Sequence, residues 1–327
     1  MAKLKVFVTG GAGFIGSNFV RNLLNGQYLN DSDLELVTVY DVLGHGGLKS
    51  NLAEVFENRK FRFIVGDILD LKKLKYEMEG HDLVFNFAAE SHVDRSIMDP
   101  YHFLQTNILG TQNVLQAAHH NNVSKTIHVS TDEVHGSISE GTFNEESPLK
   151  PNSPYAASKA SAELVVRSYQ QTFGMEVCIT RCTNNYGRNQ FPEKIIPLFT
   201  TNLLRGRKVP IYGEGLNVRD WLHVDDHCDA LWLVATKGKS GEIYNIGGGK
   251  EISNLDLAIF ILEHLNKTQA DIIHVEDRKG HDFRYALDYS KITNELGYVP
   301  KINFELGLRK TIDWYKANHG WWENLRA

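Results

Sequence analysis

The stretch Leu4-Lys5-Val6-Phe7-Val8-Thr9-Gly10-Gly11-Ala12-Gly13-Phe14-Ile15-Gly16 decides how the rest of the chain is read. Its first six residues are rich in branched and aromatic side chains, as a buried β-strand is. Residues 17–24 then place Phe19, Val20, Leu23 and Leu24 at helical spacing. Between them, glycines at 10, 13 and 16 repeat G-x-x-G-x-x-G around Phe14 and Ile15. Small residues between a strand and a helix let backbone N–H groups and the helix N-terminus approach a pyrophosphate. Glycines also make ordinary turns, so the reading depends on the strands further along the chain.

The same rhythm continues. Residues 35–40 form a second strand, and Asp41 stands at its end, 25 residues after Gly16. A carboxylate there accepts hydrogen bonds from ribose hydroxyls and repels a 2′-phosphate, which selects NAD. An aspartate at a strand end can equally cap a turn. Residues 61–66 are a third strand, ending at Asp67-Ile68, where an adenine edge can be read. Residues 82–87 are a fourth, ending at Phe87; the small residues Ala88 and Ala89, with Ser91 beyond, leave room for a nicotinamide. A helical pattern over 106–121 precedes a fifth strand at 125–130, and 176–181 is a sixth. Strands alternating with helices predict an α/β fold with a doubly wound parallel sheet of the Rossmann type.

From Asn184 the elements shorten and glycines, prolines and basic residues punctuate them. Residues 242–246 read as a strand, and 255–266 and 306–315 as helices. The expected division is a dinucleotide-binding Rossmann domain over 1–182, with segments around 217–246 returning to it. Residues 183–327 then form mainly a smaller α/β substrate-binding domain.

Composition narrows the function. The 327 residues are 42% hydrophobic, enough for one large or two closely packed domains. A net charge of −5 offers no footprint for nucleic acid or a membrane surface. No apolar run reaches the roughly 18 residues a span needs, and the first residues show no signal-peptide pattern. Cys178, Cys182 and Cys228 are too scattered for a disulfide framework or a metal site. They read as free thiols in a reducing cytoplasm. The expected partner is a small molecule, with no metal, nucleic acid or membrane.

The chemistry concentrates at Val129-Ser130-Thr131-Asp132-Glu133-Val134-His135-Gly136, where an apolar run ends in a hydroxyl and two adjacent acids. Such a pair suits proton transfer, although it also caps loops. Ser153-Pro154 then starts a helix, with a capping hydroxyl and a proline in its first turn. Tyr155 and Lys159 fall four apart on one face of it. The ammonium is expected to lower the phenol's pKa from about 10, so that the tyrosine can take a proton from an alcohol as hydride leaves.

Taken together, the glycine stretch, Ser130-Thr131 and Tyr155-x-x-x-Lys159 resemble the extended short-chain dehydrogenase/reductase superfamily. Within it, the chain resembles the dTDP-glucose 4,6-dehydratases over nearly its whole length. The stretches that carry this are AAESHVDRSI (88–97), STDEV (130–134), PNSPYAASKASA (151–162), NNYG (184–187), QFPEKIIP (190–197), NVRDWLHVDDHC (217–228) and DRKGHDFRYA (277–286). The resemblance implies that Tyr155 takes the proton of the sugar O4, supported by Lys159 and Thr131, while C4 gives hydride to NAD. It implies that Glu133 removes the C5 proton and that Asp132 protonates the departing C6 hydroxyl. Adjacent carboxyls in a shielded site can have their pKa values pushed apart.

By the same resemblance, Thr106 and Asn185 join the residues around NAD. Ser91, Thr131, Asn184, Lys194 and Ile195 lie along the sugar and phosphates. Pro210, Ile211 and Tyr212 border the base, Arg219 and Arg278 take the pyrophosphate, and Asn254 and His281 complete the site. A homodimer through two helices per subunit, 106–121 and 154–173, is also implied. The chain departs from the family pattern at 43–48 (Leu-Gly-His-Gly-Gly-Leu for Leu-Thr-Tyr-Ala-Gly-Asn), at His135 where Tyr is usual, and at Lys279 and Phe283. UDP- or CDP-glucose as substrate, a sugar-nucleotide 4-epimerase, and a non-catalytic NAD-binding protein are the alternatives. Sugar 4-epimerases usually carry small residues where Asp132 and Glu133 stand.

Overall fold

In the computed structural model, residues 3–277 and 280–326 are described. Arg278, expected at the pyrophosphate, and Lys279 lie outside the described residues. Seven strands make one sheet: β1 (Leu4–Thr9), β2 (Leu34–Asp41), β3 (Phe61–Val65), β4 (Leu83–Asn86), β5 (Lys125–Thr131), β6 (Val177–Cys182) and, much later in the chain, Ile243–Ile246. The order across it is Ile243–Ile246, β6, β5, β4, β1, β2, β3, and every pair is parallel. Near-continuous apolar runs such as Val6-Phe7-Val8 have no exposed face, because helices cover both sides of a parallel sheet.

One covering layer joins Phe19, Val20 and Leu23 of helix Phe14–Leu24 to Cys228, Leu231 and Val234 of helix Val224–Lys237. The other joins Leu74, Val114, Leu115 and Val166 from helices Leu71–Glu77, Thr111–His120 and Pro154–Phe173. A third core, with Ile196, Phe199, Leu257, Ile261, Leu308 and Ile312, sits among helices Ile195–Leu204, Asn254–His264 and Phe304–Ala317. Short strands attend it. β7 (Asn184–Tyr186), β9 (Val218–His223) and β11 (Glu251–Ser253) form one sheet, and β8 (Val209–Tyr212) pairs with β12 (Ile272–Val275); Ile243–Ile246 is β10.

The topology fixes where a ligand sits. From β1 the chain runs one way to β2 and β3 and the other way to β4 through β6. This reversal opens a crevice at the carboxyl ends of β1 and β4. Those ends are tied by the Thr9 hydroxyl donating to Asn86 Oδ1 at 2.6 Å. The helix expected at 106–121 is not uniform: Gln105–Gly110 is a π-turn and the α-helix proper is Thr111–His120. The wider turn carries Asn107, which bridges the loop after β4 to the helix of Tyr155. It accepts from Glu90 N (2.8 Å) and donates to Glu90 O (3.0 Å) and Ser158 Oγ (2.8 Å). Such widened turns often mark functional sites.

Candidate active site

The crevice is a cleft of about 500 Å³. Its floor is the glycine turn. Gly10 has φ +68°, and a Cβ there would lie 2.6 Å from Ala88 N; a Cβ on Gly16 would lie 2.5 Å from Gly10 O. Without those Cβ atoms the turn packs directly on Ala88 and the helix start packs on Gly10, the tight strand-to-helix turn that lets backbone N–H groups approach a pyrophosphate. Helix Phe14–Leu24 has no side-chain cap and no acid in its first turn, so its N–H groups and positive end face the cleft unopposed. Asp41 Oδ2 accepts from Ala12 N (2.9 Å) and Oδ1 from Leu43 N (2.8 Å), which fixes the carboxylate at the rim. It therefore serves the turn as well as facing the cleft. These features fit an adenine dinucleotide.

All sixteen residues expected around NAD line this one cleft: Gly10, Gly13, Phe14, Ile15, Gly16, Asp41, Asp67, Ile68, Phe87, Ala88, Ala89, Ser91, Thr106, Tyr155, Lys159 and Asn185. Thr131, Asp132, Glu133, Asn184 and Lys194 line it too. A smaller cavity of about 60 Å³ adjoins, lined by Glu133, Asn184, Arg219, His281, Asp282 and Tyr285 among others. Glu133 and Asn184 belong to both. Ile195, Pro210, Ile211, Tyr212 and Asn254 line neither. Ile211 is buried in the third core, so the alternation of β8 puts Pro210 and Tyr212 on the opposite, accessible face. The Tyr212 ring stands 6.1 Å from that of His281, edge to face.

β5 delivers Thr131 into a 3-10 turn, Asp132–His135. The Thr131 hydroxyl donates to Asp132 Oδ1 (3.1 Å) and accepts from Glu133 N–H (3.4 Å). Asp132 is 3% exposed, and its Oδ2 has no hydrogen-bond partner among the described residues. Burial first, then the charge of Glu133, hold its carboxyl well above the usual range; Thr131 and Arg219 oppose this more weakly. Asp132 is thus a buried carboxyl shifted toward its protonated form, with one oxygen unpartnered among the described residues. Glu133, only half-buried, sits between the two cavities.

Ser153 caps helix Pro154–Phe173 by accepting Ala156 N–H at 3.1 Å, and this helix presents Tyr155 and Lys159. Lys159 Nζ donates to Val129 O at 2.7 Å, and burial lowers its pKa to about 8 while Glu163 raises it. The expected lowering of Tyr155 by Lys159 does not hold in this pocket. Burial, then Glu133, push the phenol well above its ordinary value, and the Thr131 hydrogen bond only partly offsets them. The ammonium is itself disfavoured by burial and spends a donor on Val129, so it cannot dominate.

Behind this face lies a network that spacing did not suggest. Arg181 grips Glu163 through Nε and Nη2 at 2.7–3.1 Å, both groups 3% exposed, and its Nη1 lies 3.2 Å from His135 Nε2. Burial, then Arg181, drop His135 to about 4, so it is neutral, its Nδ1 3.2 Å from Pro148 O. The acid turn is thus braced to the helix of Tyr155. In the smaller cavity Arg219 donates to Val218 O, Phe283 O and Asp282 O (2.7–3.2 Å) and lies 4.3 Å over the Tyr285 ring. His281 Nδ1 is 2.6 Å from Asp277.

Comparison with known proteins agrees on one group. A family model described as GDP-mannose 4,6 dehydratase matches residues 7–311. The dTDP-glucose 4,6-dehydratase of an Actinoplanes species is 52% identical over 98% of this chain and all of its own length. Among solved structures, DesIV, a dTDP-glucose 4,6-dehydratase from Streptomyces venezuelae crystallised with NAD, is 53% identical; the match covers 99% of this chain and 100% of that one with a TM-score of 0.97. A UDP-glucose 4-epimerase from Thermotoga maritima is more distant, 31% identical with a TM-score of 0.88, over 97% of this chain and 100% of its own.

Proposed function

We infer the reaction from membership: the chain belongs to the dTDP-glucose 4,6-dehydratase family, and its cleft carries the groups that dehydration needs. It is a hydro-lyase that converts dTDP-D-glucose to dTDP-4-keto-6-deoxy-D-glucose for deoxysugar biosynthesis, with NAD as cofactor. The observation that carries this is the Asp132–Glu133 pair, one acid buried with its carboxyl held well above the usual range, the other between two cavities. A 4-epimerase has no task for such a pair.

NAD, when bound, takes hydride from C4 and returns it to C6. Tyr155 removes the O4 proton, and the Lys159 ammonium on the same helix face offsets part of the burial that holds the phenol up. Thr131, in hydrogen-bond reach of Tyr155, steadies it. The 4-ketone acidifies C5–H, which Glu133 removes, and Asp132 gives its proton to the C6 hydroxyl as that leaves. Asp132 is suited to donate because burial first, and then its neighbour's charge, raise its carboxyl well above the usual range and favour the protonated form. Glu133 then returns a proton to C5. Asn184, Lys194 and Ser91 follow the sugar and phosphates, Arg219 takes the diphosphate, His281 completes the site, and Tyr212 and Pro210 lie toward the base.

Residues 1–182 with the returning segment form the NAD-binding domain, and residues 183–327 mainly the substrate domain; the separate third core supports this division. A homodimer through residues 106–121 and 154–173 is supported by exposed Leu109, Leu164 and Phe173 on these segments. The free buried cysteines support a reducing cytoplasm. The test is turnover of dTDP-, UDP- and CDP-glucose without added NADH, followed by the enone absorbance of 4-keto-6-deoxy sugars in alkali. The dTDP sugar is expected to react fastest; absence of product from all three overturns the reading.

A further inference from the structure

The loop after β2 departs from the family pattern, and the fold gives that departure a position. Its two ends are pinned to one residue of the glycine turn. Asp41 accepts from Ala12 N at 2.9 Å, and Leu48 N donates to Ala12 O at 3.0 Å. Between the pins, Gly44-His45-Gly46-Gly47 arches over the cleft and lines it. On the opposite bank, Phe191, Glu193 and Lys194 come from the segment between β7 and helix Ile195–Leu204.

The banks meet. His45 Nε2 lies 2.5 Å from Glu193 Oε2, and the His45 ring packs 4.5 Å from that of Phe191. His92 approaches the same carboxylate oxygen at 3.6 Å. Its Nδ1 accepts from Arg95 N (3.3 Å), which leaves its proton on the Nε2 that faces Glu193. Glu193 is held by histidines from two segments and its side chain is 19% exposed; that of His45 is 34% exposed.

We propose that His45 and Glu193 form a clasp across the cofactor groove that holds the dinucleotide through successive turnovers. The proposal rests on the dehydratase reading, in which NAD is restored every cycle and has no need to leave. His45 and Glu193 are positioning residues: their bond must open before the dinucleotide exchanges. Glycines on both sides of His45 let it swing without disturbing the pins at Asp41 and Leu48.

The experiment loads the enzyme with unlabelled NAD and follows its exchange with radiolabelled NAD. His45→Ala and Glu193→Ala are each expected to speed exchange about tenfold, the worth of one hydrogen bond to a charged group. The double variant is expected to exchange no faster than the quicker single, because either change opens the same bond. His45→Gln, which keeps a donor, is expected to restore slow exchange. Exchange by His45→Ala at the wild-type rate, or additive effects in the double variant, overturns the clasp. So does a fall in melting temperature of the NAD-free variants that parallels the exchange rates, which would mean a loosened fold. A protein that takes up no NAD at all sinks the dehydratase reading itself, a different result from NAD bound and exchanging unchanged.

Discussion

On the dinucleotide side of the cleft the wall is backbone: the Gly10–Gly16 turn, the bare end of helix Phe14–Leu24 and the small residues after β4. On the sugar side it is side chains: Asp132, Glu133, Tyr155, Arg219 and His281, gathered from separate segments of the chain. The first wall works by leaving atoms out. The second works by holding particular groups in particular protonation states. Adding atoms to the first should damage binding and fold together, whereas changing groups in the second should damage chemistry and leave the fold intact.

The largest test of that contrast is on the side-chain wall. Tyr155→Phe and Glu133→Gln are each expected to lower kcat by about 10³, with NAD still bound and melting temperature unchanged. Steady-state rates and calorimetry read this. Next is the backbone wall: Gly16→Val forces atoms against Gly10 O and is expected to cost about 1–3 kcal/mol of stability and to abolish co-purified NAD. A Gly16→Val protein as stable and as loaded as wild type would break the contrast. Smaller is Arg219→Lys. A lysine cannot make the fork to Val218, Phe283 and Asp282, and KM is expected to rise about tenfold at constant kcat.

The smallest effect has the opposite sign. Asp132 holds its proton in the folded state at pH values where the unfolded chain, with a pKa of about 3.9, has lost it. The folded state thus binds the extra proton, and stability falls as pH rises through that window. Asp132→Asn is neutral in both states and is expected to melt about 2 °C higher at pH 7, with no gain below pH about 4. Scans of both proteins at the two pH values read it, alongside loss of dehydration.

The backbone wall was the more legible in the sequence for a physical reason. Its parts are contiguous, so the strand, the glycine spacing and the helix show themselves locally, and Asp41, Asp67 and Ala88 are placed because each ends the next strand. The side-chain wall is assembled by folding. Arg181 and Glu163 meet only once β6 packs against helix Pro154–Phe173, and nothing in their spacing announces a buried ion pair. Asn107 is recognisable as a bridge only because the helix widens there. Ile211, grouped with Pro210 and Tyr212 by the resemblance, is turned into the core by strand alternation. The Tyr155–Lys159 spacing was visible, but the burial that reverses the expected pKa shift was not.

The division of labour between the two acids is tested most directly by turnover of dTDP-glucose in deuterated water. The wild-type product is predicted to carry one solvent deuterium at C5. Glu133→Gln is predicted to stop at the 4-keto sugar that still bears its C6 hydroxyl, with the cofactor left reduced. A 4-keto-6-deoxy product without deuterium at C5, or formed by Glu133→Gln at the wild-type rate, would contradict it.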